Sequence, residues 1–205
     1  MKYTKSLVIR NPLSNDLKFI SDNNKNLIIA IGRLEPQKRF DFLIKSFKEA
    51  HDNNNSLKLT IFGSGSQKQY LESLIDELNL NSFVLIHDFT DSIKEEICKY
   101  GIYCCSSYFE GMSNSMLECA ACGLPVVTTD CAGGCASKIV INNKNGIIVD
   151  RDSSVSEYAK AILEVCNNYT LFYKNSIITS NEINKEYKLE TVSKEWTDLF
   201  IYILN

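Results

Sequence analysis

Six short runs of apolar residues recur along the chain, each followed by a more polar stretch, and this alternation limits the possible folds more than any other feature. The runs are Leu27 to Ile31, Leu57 to Phe62, Phe83 to Ile86, Ile102 to Cys105, Pro125 to Thr128 and Ile147 to Val149. Unbroken apolar runs this short suit strands buried on both faces, the condition of a parallel sheet covered by helices. Between them, Asp41 to His51 sets Phe42, Leu43, Ile44 and Phe47 at helical spacing, and Gln67 to Leu78 does so with Tyr70, Leu71, Leu74, Ile75 and Leu78. Val155 to Val165 and Val192 to Ile203 carry the same period. The fold class that follows is α/β, a parallel sheet with helices on both faces. With 205 residues, 44% of them apolar, the chain can bury one core of ordinary size and is too short for two such domains.

In open sheets of this kind ligands sit beyond the carboxyl ends of the strands, where Gly32, Gly63, His87 and Ser106 fall. The stretch Tyr108-Phe-Glu-Gly-Met-Ser-Asn-Ser-Met-Leu-Glu118 sets two carboxylates, Glu110 and Glu118, around a turn that opens a helix. Gly111 is expected to let backbone approach a ligand closely, and Ser113, Asn114 and Ser115 to leave amides unpaired at the helix start. Such a terminus favours an anion, a phosphate above all. Arg33 and Lys38 follow the first main strand, where a guanidinium fork and an ammonium can hold a diphosphate; the plainer alternative is two solvated cations. Ser115-x-x-Glu118 also fits a capping box, in which Glu118 would only finish the helix. Gly63-Ser-Gly65 reads as a tight strand-to-helix turn without the third glycine of a dinucleotide fingerprint, which argues against a dehydrogenase.

A net charge of −3 and 22 scattered basic residues argue against a nucleic-acid surface. Met1 to Ser6 lacks the apolar core of a signal peptide, and no run of about 18 apolar residues is available to cross a bilayer, so the expected location is the cytosol. Of the eight cysteines, Cys104 and Cys105 sit in an apolar run and Cys119 and Cys122 in the helix after the Glu110 motif, all core positions. Cys119-x-x-Cys122 has no second pair and no nearby histidine, so no metal is expected. Cys98, Cys131, Cys135 and Cys166 form no readable pattern. His51 is expected to face solvent.

These motifs resemble, in order, those of the retaining glycosyltransferases of the two-Rossmann-domain (GT-B) type, group 4. The matching elements are Ile31-Gly-Arg-Leu-Glu-Pro-Gln-Lys38, Ile61-Phe-Gly-Ser-Gly65, the Glu110-x7-Glu118 signature and Asn145-Gly-Ile-Ile-Val149. What they cover resembles only the C-terminal, donor-binding half, so the implied fold is Rossmann-like and the acceptor half is missing. The resemblance implies a remnant of the interdomain connection over 1–26, with Leu7 to Pro12 as the strand before the connection and Ser21 to Asn26 as a loop. It further implies a nucleotide-sugar-binding domain over 27–185 and a crossover helix over 186–205.

By the same resemblance, Arg33 and Lys38 grip the phosphates and stabilise the leaving group, and Glu110 orients the transferred sugar. Gly111, Met112, Ser113, Asn114 and Ser115 offer backbone amides, Glu118 holds the ribose, Gly63 shapes the turn, and His87 and Asp88 line the base pocket. The implied reaction moves a hexose or N-acetylhexosamine from a nucleoside diphosphate sugar, UDP first among them, to a glycan or lipid-linked acceptor, without a metal or other cofactor. The full enzyme is then cytoplasmic or peripheral to a membrane. Asp150-Arg-Asp152 has the spacing of a metal-binding Asp-x-Asp but is read as chance. The family often carries Pro-x-Glu-Ile-Ile after its paired glycines, whereas Gly133-Gly134 here precedes Cys135-Ala-Ser-Lys-Ile-Val140, which puts that acid's contact in doubt. Half of a split two-chain enzyme, a non-catalytic sugar-nucleotide module and an epimerase are the rival readings. The apolar face of the last helix, with Val192, Trp196, Leu199, Phe200 and Ile203, is expected to seek a partner: an acceptor domain or a second copy.

Overall fold

A computed structural model describes residues 7–13, 24–90 and 92–204. At its centre lie six parallel strands: β1 (Asn24–Ile31), β2 (Lys58–Phe62), β3 (Val84–His87), β4 (Tyr100–Cys105), β5 (Val126–Thr129) and β6 (Gly146–Val149). Each of the six apolar runs is a strand, its ends within three residues of the expected ones. The helices are α1 (Phe40–Asn53), α2 (Lys68–Glu77), α3 (Ile93–Ile97), α4 (Asn114–Ala121), α5 (Ala136–Ile139), α6 (Val155–Asn167), α7 (Tyr169–Glu186) and α8 (Leu189–Leu204).

Because side chains alternate across a strand, the apolar runs feed two cores at once. Ile28, Ala30, Leu59, Ile61, Ile102 and Cys104 pack with α1, α2 and α6 through Phe47, Leu71 and Ile162. Ile29, Ile31, Tyr103 and Cys105 pack on the other face with α3, α4, α5 and α7 through Ile97, Met116, Ile139 and Ile183. Each such aliphatic side chain fully withdrawn from water contributes about 1.5–3 kcal/mol. Cys104, Cys105, Cys119 and Cys122 are all buried free thiols, as expected of the apolar run that holds the first two and the helix read for the others.

The strand order β3-β2-β1-β4-β5-β6 positions the site. The chain builds outward from β1 to one side and from β4 to the other, so the loops leaving these two neighbours diverge and open a crevice between them. α6 closes the sheet below this point. Its Tyr158, fully buried, directs its hydroxyl at the carbonyls of Cys105 (3.1 Å), the last residue of β4, and Val127 (2.9 Å), within β5. A Ser154–Glu157 capping box fixes the start of α6.

Several expectations are corrected. Leu7 to Pro12 is not a strand: it has no regular structure and lies against α7 and α8, where Arg10 pairs with Glu186 and Glu195 and the Leu13 amide donates to the Tyr187 carbonyl. A strand needs a neighbouring backbone ladder, and this segment meets helices instead. Of the expected loop Ser21 to Asn26, residues 24–26 belong to β1, while 21–23, like Met1 to Ser6, lie outside the described residues. His51 is buried, not solvent-facing: its Nδ1 lies 3.1 Å from the Leu57 carbonyl and its ring 4.1 Å from that of Phe83. α7 was not anticipated because its buried positions, Phe172, Ser176, Thr179, Ser180 and Ile183, are mostly polar and break the apolar period.

α8 buries only Val192, while Trp196 and Phe200 stack in the open at 5.9 Å. Among the described residues no helix is long and apolar enough to cross a membrane. The fold makes one direct prediction. Tyr158→Phe removes a buried donor from two strand carbonyls and should cost about 1–3 kcal/mol of stability in urea unfolding; a loss near zero would show that these carbonyls find other donors.

Candidate functional site

A cavity of about 520 Å³ opens at the carboxyl ends of β1, β2 and β4, within the size range of small-molecule sites. Of the residues singled out from sequence, Arg33, Lys38, Gly63, Glu110, Met112, Ser113, Asn114 and Ser115 line it. His87, Asp88, Gly111 and Glu118 do not line it.

The loop after β1 and the loop after β4 are sewn together across the crevice. Gln37 donates its side-chain amide to the Phe109 carbonyl (2.6 Å), and the Tyr108 amide donates to the Gln37 carbonyl (2.9 Å). Ser106 donates its hydroxyl to the carbonyls of Lys38 (2.7 Å) and Arg39 (3.0 Å). At the centre of this seam the Lys38 ammonium forms an ion pair with Glu110 Oε1, which also accepts from the Ser107 hydroxyl at 2.8 Å. Glu110 is buried, and its Lys38 partner is mostly covered. Thr129 holds Ser107 in turn, donating to its carbonyl at 2.7 Å. Lys38 and Glu110 thus act as one unit, although the sequence reading gave them separate tasks.

Gly63 fits its role for a steric reason. A Cβ there would overlap the Gly32 carbonyl oxygen, so the first two strand-end turns can pack against each other only with glycine at 63. Gly111 differs: a Cβ there meets no protein atom within 4 Å, so packing alone does not require glycine.

Helix α4 begins two residues earlier than a Ser115 capping box would need. Ser113 is the N-cap, its hydroxyl accepting from the Met116 amide at 3.4 Å. Ser115 lies inside the first turn, bonded to the Ile31 carbonyl (3.2 Å) and the Tyr103 hydroxyl (2.9 Å). The Glu118 carboxylate is therefore not spent on a cap. Among the described residues no side chain hydrogen-bonds to it, and burial raises its pKa against the opposing pull of Lys94. It sits one turn along α4 from the cavity wall. The amides of Asn114 and Ser115, first in the helix, have no helical carbonyl to bond and stand at the cavity's edge.

Arg33 is exposed at the cavity mouth. His87 ends β3 and stacks on Phe62 at 5.4 Å, while Asp88 accepts from Lys68 at 2.8 Å, a bond that lowers the Asp88 pKa and raises that of Lys68. From the same loop Phe89, exposed, reaches the cavity. Sequence reasoning missed Gln37, Ser107 and Phe89. Ser107, three residues before Glu110, was the one most open to discovery, as a hydroxyl within reach of the motif carboxylate. Among the described residues no three His, Cys, Asp or Glu side chains group as metal ligands; Asp150 only closes a turn, accepting from the Asp152 amide.

A family model described as glycosyl transferases group 1 matches residues 15–185. The poly(ribitol-phosphate) alpha-N-acetylglucosaminyltransferase of Staphylococcus aureus is 28% identical over 170 residues, covering 83% of this chain and 34% of that protein. An N-acetylgalactosaminyltransferase of Campylobacter jejuni that acts on a diphospho-undecaprenol-linked sugar is 34% identical over 139 residues, covering 67% of this chain and 37% of its own. A solved mutant of S. aureus TarM, in complex with fondaparinux, alpha-GlcNAc-glycerol and UDP, superposes with a TM-score of 0.87 at 26% identity over 95% of this chain and 39% of that one. The pneumococcal O-GlcNAc transferase GtfA, bound to UDP and GlcNAc, shares the fold with a TM-score of 0.82 at 21% identity over 93% of this chain and 38% of its own. The chain thus spans little more than a third of the length of these proteins.

The ion pair yields a prediction of its own. Lys38→Met strands a buried carboxylate and should destabilise more than the double variant Lys38→Met with Glu110→Gln. The coupling in a double-mutant cycle should be about 1–3 kcal/mol. Additive losses in urea unfolding would mean that the pair is not formed in solution.

Proposed function

Because the chain belongs to the group 1 glycosyl transferases, we propose that it is the donor-binding unit of a retaining transferase. It takes a hexose or N-acetylhexosamine from a nucleoside diphosphate sugar, UDP-linked, and passes it to a glycan or lipid-linked acceptor. The observation that carries this reading is the convergence of Arg33, Lys38 and the start of α4 on one cavity at the point where the strand order reverses. These groups supply two cations and unpaired amides where a diphosphate would lie, so binding is proposed to be metal-independent. The UDP held by two relatives supports uridine as the base.

In this reading the acceptor hydroxyl attacks the anomeric carbon on the face the diphosphate is leaving, and a phosphate oxygen takes the proton. Arg33 and Lys38 stabilise the charge that grows on the diphosphate. Glu110, freed from Lys38 as the phosphates draw the ammonium away, turns to a sugar hydroxyl. Glu118 accepts from the ribose diol along α4, its unspent carboxylate supporting that role. Backbone at His87 and Asp88 borders the base, and Phe89 offers it a ring face.

A second reading has a separate chain supply the acceptor half. The exposed apolar residues of α8 and the adjoining Leu7 and Val8 support it. So do relatives described as the GtfA subunit of a peptide N-acetylglucosaminyltransferase, and a solved GtfA/B complex of the same fold. Under this reading Trp196→Asp should abolish capture of the second chain, or self-association seen by light scattering, and leave UDP binding intact.

Calorimetry with UDP, GDP and ADP tests the main reading. UDP should bind best and equally well with a chelator present. Arg33→Ala should weaken UDP by about 1.5–3 kcal/mol, the scale of a hydrogen bond to a charged group, with a smaller effect on uridine. Glu118→Gln should weaken UDP more than Glu110→Gln does. Binding that vanishes with chelator, or equal losses for UDP and uridine, would contradict the assignment.

A further inference from the structure

The loop between β5 and α5 carries two thiols that the site does not use. Cys131 and Cys135 bring their sulfurs to 3.4 Å, and both side chains are buried. Between them Gly133 (φ 114°) and Gly134 (φ 68°) take left-handed backbone, a reversal that side-chain-bearing residues disfavour and that turns the two cysteines toward each other. A buried free cysteine is ordinarily an inert small hydrophobe, and Cys104 and Cys119 behave so, desolvation pushing both thiols well up. Cys135 departs from that pattern. The hydrogen bond the two thiols share and, after it, the Ser113 amide hold its thiol down to about 7 against burial and the nearby Glu110 charge, while the same bond pushes Cys131 up. One poised sulfur beside one resolving sulfur is the arrangement of a dithiol that can close.

The same loop frames the cavity. The Ala132 amide donates to the Tyr108 carbonyl (3.2 Å), and the Glu110 amide donates to the Ala132 carbonyl (3.0 Å). Gly133 lies so close to the Glu110 carbonyl that a Cβ would overlap it. The Ser113 amide that meets Cys135 belongs to the N-cap of α4. Joining the sulfurs would shorten their separation to about 2 Å and remove the S–H bond between them. Glu110 and Ser113 are tied to whatever that loop does.

We propose that Cys131 and Cys135 are an oxidisable dithiol whose reversible disulfide displaces the Tyr108 to Ser113 segment and so weakens ligand binding in the adjoining cavity. The weakened ligand is UDP, and that part rests on the donor-site reading above. The step balances with a low-molecular-weight disulfide as oxidant. The Cys135 thiolate attacks one sulfur of that disulfide, whose S–S bond breaks, and one thiolate leaves. The Cys131 sulfur then attacks the Cys135 sulfur of the mixed disulfide and expels the second thiolate, its proton passing to a leaving sulfur. Two protein thiols have lost two electrons, and the reagent leaves as two reduced thiols. Both protein sulfurs are shielded while Gly133 and Gly134 are exposed, so the reagent enters when the glycine loop lifts.

The sequence allows a clean test. Cutting after Asp130 and Lys138 isolates residues 131–138, with Cys131 and Cys135 as the peptide's only cysteines. The intact chain is equilibrated with graded ratios of oxidised to reduced glutathione, alkylated, digested and weighed; in parallel, UDP is titrated, and amide hydrogen exchange is followed over 108–115. The peptide should appear unalkylated and two hydrogens lighter as the ratio rises. Exchange over 108–115 should change with it, UDP affinity should fall at least about fivefold, and dithiothreitol should reverse all three. Cys131→Ser should stop at a glutathione adduct on Cys135.

Full alkylation of the peptide at every ratio would overturn the proposal. So would a linked peptide with unchanged exchange over 108–115. A reduced chain that does not bind UDP would refute the donor-site reading instead, and the mass and exchange results would still decide the dithiol.

Discussion

The ion pair between Lys38 and Glu110 joins the two halves of the sheet at the place where the strand order turns back on itself. Lys38 comes from the loop after β1 and Glu110 from the loop after β4, and no covalent path shorter than 72 residues connects them. Holding two largely buried charges together costs desolvation, which good geometry and extra hydrogen bonds must offset. The Ser107 hydroxyl and the chain behind it, Thr129 to the Ser107 carbonyl, provide that support on the carboxylate side. Hydrogen bonds from the Tyr108 amide, the Gln37 side chain and the Ser106 hydroxyl to carbonyls of the facing loop hold the loops in register, so the pair is placed by the scaffold and not by chance rotamers.

A site built this way is prepared before its ligand arrives. The ammonium that would meet a diphosphate is parked on a carboxylate, which keeps it from pairing elsewhere until an anion enters. An incoming diphosphate carries more charge than one carboxylate and adds the start of α4 as a second partner. The proposed binding is thus an exchange of partners for Lys38, with Glu110 released toward the sugar. Arg33, exposed at the mouth, provides a positive charge that favours the anion's approach.

Much of this was legible in the sequence, and what was not has identifiable causes. The strands announced themselves as apolar runs because both their faces are buried, and most of the cavity-lining residues because they lie in the loops after strand ends. Glu118 was ambiguous between cap and ligand because a helix start cannot be fixed to the residue from sequence; with Ser113 as the N-cap the ambiguity is resolved against the Ser115 box. α7 escaped because polar residues line much of its buried face, and His51 because its carbonyl partner at Leu57 depends on a turn that periodicity does not report. Leu7 to Pro12 looked like a strand, but its neighbours are helices. Cys131 and Cys135 formed no pattern because the two-glycine reversal that brings their sulfurs together is a property of backbone angles, not of spacing.

A crystal structure of this chain with UDP tests the central claim most directly. The account predicts the diphosphate at the amides of Asn114 and Ser115, the Lys38 ammonium within hydrogen-bond distance of a phosphate oxygen, and Glu110 released from Lys38 but still held by Ser107. A nucleotide bound away from α4, or a diphosphate in the cavity with the Lys38–Glu110 pair intact, would contradict it.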